Sequence, residues 1–151
     1  MQITARVDYA VRALVELATR GGDSVTGPQI AEAQDIPAKF LESIMRDLKR
    51  DGLVVSQRGR FGGYAFGVPA DRISIADVVR AVDGPLAAVR GLPREDVAYQ
   101  GAATALTTVW VAVRAAMRAV LEQTTIADVA AGEIPPAVTA MLTDDAWKRR
   151  R

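Results

Sequence analysis

Apolar residues recur every three or four positions along most of the chain, a spacing that predicts amphipathic helices. The first such stretch covers residues 4–20 and ends at a pair of glycines. Thr26 is then followed by a proline and a glutamine, a combination typical of a helix start, and it predicts a short second helix over 28–33. A tight turn leads to a third helix over 37–50. The pattern therefore predicts a helix-turn-helix.

The third predicted helix divides its apolar and charged residues between opposite faces when it is projected at about 100° per residue. The apolar face, which must pack on the first two helices, holds Leu41, Ile44, Met45 and Leu48. The opposite face, with Ser43 at its margin, holds Lys39, Glu42, Arg46, Lys49 and Arg50. On an isolated helix such a face is usually only solvated. As the second helix of a helix-turn-helix, it is more typical of a helix that enters the DNA major groove.

Two short extended segments follow, at 53–55 and 64–68, and a turn rich in glycine and arginine joins them. Glycine permits the positive φ values and the close backbone approach that such a turn needs. The turn is not a nucleotide-binding loop, since no Lys-Ser/Thr pair follows it and no helix begins at its last glycine. It predicts a two-stranded wing with Arg58 and Arg60 at the tip, where arginine can bind phosphate or enter a minor groove.

The second half of the chain predicts one more helix after Ser74, a linker at 85–100 and a long helix over 102–123. The long helix has apolar residues near heptad spacing at Leu106, Trp110, Val113, Met117, Val120 and Leu121. A helix with this much apolar surface is not easily buried in a chain of 151 residues, so we expect it to pair with the same helix of a second copy. The alternative for Trp110 is the lining of a ligand pocket.

Four segments follow from this organisation. Residues 1–84 are predicted to form a winged helix-turn-helix DNA-binding domain, whose first helix also packs in the dimer. Residues 85–100 are a linker loop, and residues 101–131 hold the dimerisation helix and a following short helix. Residues 132–151 are a C-terminal extension with a basic tail. The fold class is therefore mainly α with a small β-wing.

Composition limits the chemistry of the chain. It contains no cysteine and no histidine, which excludes disulfides, zinc fingers, thiolate- or imidazole-ligated clusters and a Ser-His-Asp triad. With no nucleophile–base pair and no cofactor fingerprint, we expect neither an enzyme nor a bound cofactor. The start of the chain lacks a signal-peptide core, and no apolar run of about 20 residues is evident, so we expect a cytoplasmic protein without a membrane partner.

The net charge is only +1, but its distribution along the chain is uneven. Residues 37–64 carry six basic and three acidic side chains, and the last eight residues carry four and two. Residues 1–36 and 73–143 are both net acidic. Positive charge is therefore concentrated at the proposed reading helix and wing and at the tail, as expected of a protein that binds nucleic acid.

The chain resembles the Rrf-type family of bacterial winged-helix transcription regulators, the family of IscR, NsrR and CymR. The resemblance covers roughly residues 2–131 and rests on four segments. They are ITARVDYAVRALVELA, PQIAEAQDIPAKFLESIMRDLKRDGLV, SQRGRFGGY and RISIADVVRAVDGPL. The resemblance and the residue pattern together predict a set of DNA-binding residues: Thr26, Lys39, Phe40, Glu42, Ser43, Arg46, Arg50, Arg58, Arg60, Gly62, Gly63 and Tyr64. Arg60 comes from the pattern alone, because Arg60 and Phe61 replace the Pro-Gly that is more usual in the family.

Two details of the resemblance bear on mechanism. Glu42 matches a reading position where a carboxylate is expected to accept from a cytosine amino group. Cluster-binding members of the family place three cysteines before the long helix, and this sequence has none there. The resemblance therefore implies a member without an iron–sulfur cluster.

The resemblance and the residues together predict a homodimeric repressor that binds double-stranded DNA at a pseudo-palindromic site. Its effector is expected to be either a small ligand, bound near Trp110 and the 85–100 linker, or a partner protein. The alternative function is a winged-helix protein-interaction module without a specific DNA role.

Overall fold

A computed structural model of the protein describes residues 2–59, 62–86 and 97–143. Within those ranges it contains seven α-helices, two short 3₁₀ helices and one two-stranded antiparallel sheet. The α-helices are α1 (Ala5–Thr19), α2 (Gly27–Gln34), α3 (Ala38–Arg50), α4 (Ile75–Asp83), α5 (Leu106–Leu121), α6 (Ile126–Ala131) and α7 (Pro136–Thr139). The strands are β1 (Val54–Gln57) and β2 (Gly63–Phe66), and the 3₁₀ helices are Ala70–Arg72 and Gly101–Ala103.

Local capping explains where several helices begin. Thr26 and Gln29 form a reciprocal capping box at the start of α2, as the sequence predicts. Ser74 with Asp77 and Thr125 with Asp128 form the same arrangement at α4 and α6. Each box satisfies backbone N–H groups of the first turn that would otherwise lack a partner. The predicted starts of α1 to α4 therefore agree with the structure to within a residue or two.

Helices α1, α2 and α3 pack around one apolar core. Leu41, Ile44, Met45 and Leu48 are all buried there, which confirms the apolar face predicted for α3. Leu14 of α1 and Ile30 of α2 lie in the same core. The charged face of α3 must therefore point outward, because the opposite face is fully occupied.

The wing has a third member that the pattern did not predict. Strands β1 and β2 pair from Val54 opposite Phe66 to Gln57 opposite Gly63. The backbones of Val25 and Tyr64 also exchange two N–H···O bonds of 2.9 and 2.8 Å. The segment before α2 is thereby fixed to the edge of the wing, which holds the wing beside the helix-turn-helix.

Helix α6 lies in the core of the winged domain. Ile126 is fully buried, and its backbone N–H donates to the Ile73 carbonyl at 2.9 Å. The Ile75 N–H donates to the Thr124 carbonyl at 2.9 Å, so the segments before α4 and α6 run side by side. The domain prediction grouped this short helix with the dimerisation helix, whereas the structure packs it against α1 of the winged domain.

Helix α5 begins later than predicted, because a 3₁₀ helix occupies Gly101–Ala103. None of the residues of α5 is buried. At its C-terminal end Arg80 of α4 and Arg118 both contact the carboxylate of Glu122. These hydrogen bonds, that of Arg118 first, lower the pKa of Glu122.

The stretch Gly101–Leu121 is long and apolar enough to cross a bilayer by length and composition alone, contrary to the sequence-based expectation.

Candidate nucleic-acid interface

The outward face of α3 presents four exposed charged side chains. Lys39, Glu42, Arg46 and Lys49 all lie on the side of the helix that is opposite its buried residues. Three of the four are cations, as a helix that lies between DNA phosphates requires. The prediction that these residues share one accessible face is confirmed by their exposure.

Phe40 adds an apolar element at the start of α3. Its side chain is 54% exposed, and its ring lies edge-on to Tyr9 of α1 with 6.2 Å between ring centroids. The guanidinium of Arg12 stands 5.5 Å from the Tyr9 ring centroid. Tyr9 therefore packs against one side of Phe40 and leaves the other side of the Phe40 ring accessible. An accessible apolar ring can contact a thymine methyl group.

Arg6 of α1 ties the reading helix to its surroundings. Its guanidinium forms an ion pair with Asp47 and donates to the Ser43 hydroxyl oxygen at 3.2 Å. It also donates to the Val82 carbonyl of α4 at 3.1 Å. Arg6 was not among the functional residues predicted from the sequence. The available signal was Asp47, an acidic residue on a helix meant for DNA, which requires a neutralising cation nearby.

Besides its four outward-facing charged residues, α3 also exposes Arg50, but the Arg50 guanidinium is engaged by neighbouring groups. Its guanidinium bonds to Asp51 at 3.0 Å, Asp47 at 2.9 Å and the Ala81 carbonyl at 3.0 Å. The hydrogen bond to Asp51, with the charges of both carboxylates, raises the pKa of Arg50 above its ordinary value. Arg50 is therefore exposed like the other predicted DNA-binding cations, but it differs from them because carboxylates and a carbonyl already engage its guanidinium.

The glycines of the wing are required by close backbone contacts. A Cβ on Gly63 would lie 2.6 Å from the Val25 carbonyl group, and one on Gly62 would lie 2.7 Å from the Gln57 carbonyl oxygen. Tyr64 is half-buried and its ring lies against Gly27. Gly62, Gly63 and Tyr64, which were predicted as DNA-binding residues, therefore also stabilise the conformation of the wing.

At the tip of the wing Arg58 is exposed, as predicted. Arg60, the second predicted tip residue, lies outside the described residues. Lys49 of α3 donates to the Ser56 hydroxyl on β1 at 2.5 Å and so joins the reading helix to the wing. Thr26 is occupied by its capping box with Gln29.

The predicted dimer residues on α5 fall into two groups. Leu106 is 39% exposed, and its neighbours Val109 and Val111, which the heptad analysis did not select, are 49% and 40% exposed. The remaining five are half-buried within the chain: Trp110, Val113, Met117, Val120 and Leu121. Three of those five, Met117, Val120 and Leu121, line an apolar groove of about 660 Å³ against α1 and α4.

Trp110 has a defined polar partner. Its indole N–H donates to the Tyr99 hydroxyl at 2.9 Å, which fixes the segment before α5 to the helix itself. The linker residues 87–96, where an effector was expected, lie outside the described residues.

Fold and surface together define the class: a winged helix-turn-helix with an exposed, mostly cationic reading helix is a DNA-binding transcription regulator. The chain belongs to the Rrf2 family, since the family model described as an iron-dependent transcriptional regulator matches residues 3–132. This match confirms the resemblance noted from the sequence, and with it a regulator rather than an enzyme.

Several relatives and solved structures belong to the same class of transcription regulators. A protein of Mycobacterium tuberculosis, named as an HTH-type transcriptional regulator, is 53% identical over 146 residues, which span 96% of this chain and 90% of the relative. CymR of Bacillus subtilis is 32% identical over 86% of this chain and 90% of its own. The solved structure of that CymR superposes with a TM-score of 0.74 at 29% identity over 87% and 98% of the two chains. IscR of T. potens superposes with a TM-score of 0.71 at 26% identity, over 95% and 93%.

The iron named in the family description does not fit the residues of this chain. There is no cysteine or histidine anywhere in the sequence. Within the described ranges, no three acidic side chains come together as a metal site either. Iron sites of the thiolate or imidazole kind are therefore not available to this protein, and we derive no iron-dependent step.

Proposed function

We propose that this regulator is a cytoplasmic homodimeric repressor that binds a pseudo-palindromic DNA site. The observation that carries the proposal is the arrangement of α3: its apolar face is buried in the core, and its charged face is exposed beside the wing. Two copies related by a two-fold axis would present two such helices to successive major grooves.

The DNA contacts fall into two kinds. Glu42, Ser43 and Phe40 reach base edges from the start and middle of α3. The phosphate backbone is held by cations on α3 and at the wing, namely Lys39, Arg46, Lys49, Arg58 and Arg60. Arg50 is left out because its guanidinium is bonded to Asp47, Asp51 and α4. Thr26, Gly62, Gly63 and Tyr64 act by shaping the turn and the wing rather than by direct readout.

Exposed apolar surface on α5 supports the dimer. Leu106, Val109 and Val111 stand in solvent in the single chain, which is unfavourable unless another surface covers them. The same helix from a second copy is apolar in the same way and can cover them. In this arrangement α5 belongs to a dimer core and not to a membrane.

The effector is either a small ligand or a partner protein. The absence of thiolate and imidazole ligands leaves the protein without the cluster chemistry of its iron-binding relatives. Quenching of Trp110 fluorescence by metabolite pools would indicate a small ligand, since this indole lies at the junction of the linker and α5. Capture of one specific protein from native lysate, with a change in DNA affinity, would indicate a partner.

Fluorescence anisotropy tests the regulator proposal. Labelled duplex from upstream of the protein's own coding region is titrated at several salt concentrations against a scrambled duplex. We expect tighter binding to the upstream duplex, and an affinity that falls by about 10³- to 10⁵-fold between roughly 50 and 200 mM salt for about six to ten phosphate contacts per dimer. Equal binding of both duplexes at every salt concentration would reject a regulator that acts at this site.

A further inference from the structure

The hydroxyl oxygen of Ser43 lies between two cationic donors. Arg6 Nη1 approaches it at 3.2 Å from α1, and Arg46 Nη2 approaches it at 3.4 Å from the next turn of α3. A serine hydroxyl has one O–H donor and two acceptor lone pairs. With a guanidinium donating into each lone pair, the remaining capacity of Ser43 is its O–H.

That O–H has no acceptor of its own among the residues that the structure describes. It does not bond back to the carbonyl four residues earlier, as Thr124 does to Val120 just after the end of α5 at 2.9 Å. Ser43 is half-exposed at the margin of the reading face. The proton is therefore directed outward, where DNA would lie.

Of the two donors, Arg6 is the one held in place. It is bonded at the same time to the Asp47 carboxylate and to the Val82 carbonyl, and the side chain of Asp47 is only 16% exposed. Arg46 is exposed, and its bond to Ser43 lies near the distance limit of a hydrogen bond. Because a guanidinium has five N–H donors, Arg46 can reach a phosphate with other N–H groups while it keeps its bond to Ser43.

We propose that Arg6 is a positioning residue that sets the base preference of this regulator by making Ser43 a hydrogen-bond donor. A donor in the major groove is satisfied by purine N7, guanine O6 or thymine O4, and not by the amino groups of adenine or cytosine. We expect a purine here, because the guanine that pairs with the cytosine read by Glu42 offers two of these acceptors. The neighbouring Glu42 has the opposite polarity and accepts from a cytosine amino group. The two side chains thus read complementary edges of the same or adjacent base pairs. This inference rests on the proposed DNA contact of Ser43.

The test begins with a binding site selected from random duplexes by the full-length wild-type protein. Each purine of one half-site is then replaced in turn by its 7-deaza analogue, which lacks N7, and each guanine by 2-aminopurine, which lacks O6. For the wild type we expect one position at which this loss weakens binding about 3- to 10-fold, the effect of a single hydrogen bond. In Ser43→Ala the same replacement should have no effect.

Arg6→Lys is the decisive variant, because lysine keeps the positive charge beside Asp47 but lacks the planar fork that reaches three partners. We expect the penalty at that purine to fall below about twofold, and a repeated selection to accept more bases there. Arg12→Lys is the matched control: Arg12 is also on α1 and also pairs with a carboxylate, Asp8, at 3.2 Å. It should keep the full penalty. Thermal unfolding identifies any variant that fails to fold, and Arg6→Gln replaces Arg6→Lys in that case.

The outcomes separate this inference from the function on which it rests. If Arg6→Lys keeps both the purine penalty and the wild-type base preference, the role of Arg6 is wrong although Ser43 reads DNA. If Ser43→Ala keeps every penalty, Ser43 does not read a base and the inference falls with that contact. If the wild type selects no site at all, the regulator proposal itself fails.

Discussion

At the scale of single residues, the reading helix shows that a shared face does not mean a shared role. Helical periodicity places Arg46 and Arg50 on the same side of α3, and both side chains are exposed. Arg50, however, is bonded to Asp47, Asp51 and α4, whereas Arg46 makes one long hydrogen bond to Ser43. Periodicity gives the direction in which a side chain leaves the helix and not the partners it reaches. Asp47 and Asp51 are close to Arg50 in the sequence, but the Ala81 carbonyl lies 31 residues away on α4, so the contact with α4 could not be predicted from the sequence.

This difference predicts different salt dependences for two alanine variants. Arg46→Ala removes one phosphate contact per subunit, so the slope of log K against log[salt] should become shallower by about 2 for the dimer. Arg50→Ala removes no phosphate contact and should leave the slope unchanged. Anisotropy titrations on one duplex at five salt concentrations measure both slopes. A shallower slope for Arg50→Ala alone would show that the contacts are assigned to the wrong arginine.

A second residue, Glu16, connects α1 with α2 and should control stability in acid. Hydrogen bonds from Gln34 at 3.0 Å and from Arg20 at 2.7 Å lower the pKa of Glu16 below its ordinary value of 4.5. As the pH falls towards and below about 4.5, the unfolded state therefore binds more protons than the folded state. The stability that Glu16 contributes above about pH 4.5 is lost as the pH falls further.

Replacing Glu16 with glutamine should flatten this acid response. The free energy of unfolding of Glu16→Gln should decrease by about 1–2 kcal/mol at pH 7 and change less than the wild type between pH 7 and pH 4. Glu32→Gln, at an exposed position on α2, is the control and should follow the wild type. Urea unfolding at the two pH values measures this. If Glu16→Gln and the wild type lose the same free energy of unfolding between pH 7 and pH 4, Glu16 is not the source of the acid response.

At the scale of elements, the sequence predicted what local signals determine and missed what distant contacts determine. The starts of α2, α4 and α6 are set by capping boxes within four residues, and a helix was predicted at each of these places. The pairing of Val25 with Tyr64 and the packing of α6 on α1 join segments far apart along the chain. No periodicity within either segment indicates its partner, so the third wing member and the place of α6 required the structure.

The position of α6 predicts a large stability loss when its anchor is shortened. Ile126→Ala should lower the free energy of unfolding by about 2–5 kcal/mol, because a fully buried side chain would leave a cavity in the winged-domain core. Ile134→Ala, at a residue that is 39% exposed, should change it by less than about 0.5 kcal/mol. Urea unfolding at one protein concentration compares the two. A loss of less than about 1 kcal/mol for Ile126→Ala would place α6 outside this core.

The exposed apolar side of α5 predicts how the dimer can be separated. Val109→Glu places a charge at the centre of the proposed interface, where it cannot be solvated, so sedimentation velocity should show a monomer. Val55→Glu is the matched control, since Val55 is 43% exposed on the wing and lies away from α5. It should remain dimeric. A dimeric Val109→Glu variant would show that the two copies meet elsewhere.

At the scale of the whole molecule, the fold keeps the DNA-reading parts of the Rrf2 family and lacks the ligands of its iron chemistry. The family match spans residues 3–132 and so includes α3, the wing and α5. The sequence contains no cysteine or histidine that would make the protein respond to iron or to a cluster. The regulator should therefore bind its DNA equally well in the presence and absence of iron chelators.

Selection of duplexes from a random library by the purified protein tests the central claim most directly. The account predicts an inverted repeat whose half-sites are separated by about one helical turn, or a multiple of it, as two reading helices related by a two-fold axis require. It also predicts that Glu42→Ala relaxes the preference for one cytosine in each half-site. Enrichment of no sequence over the starting library, or of a site without two-fold symmetry, would contradict it.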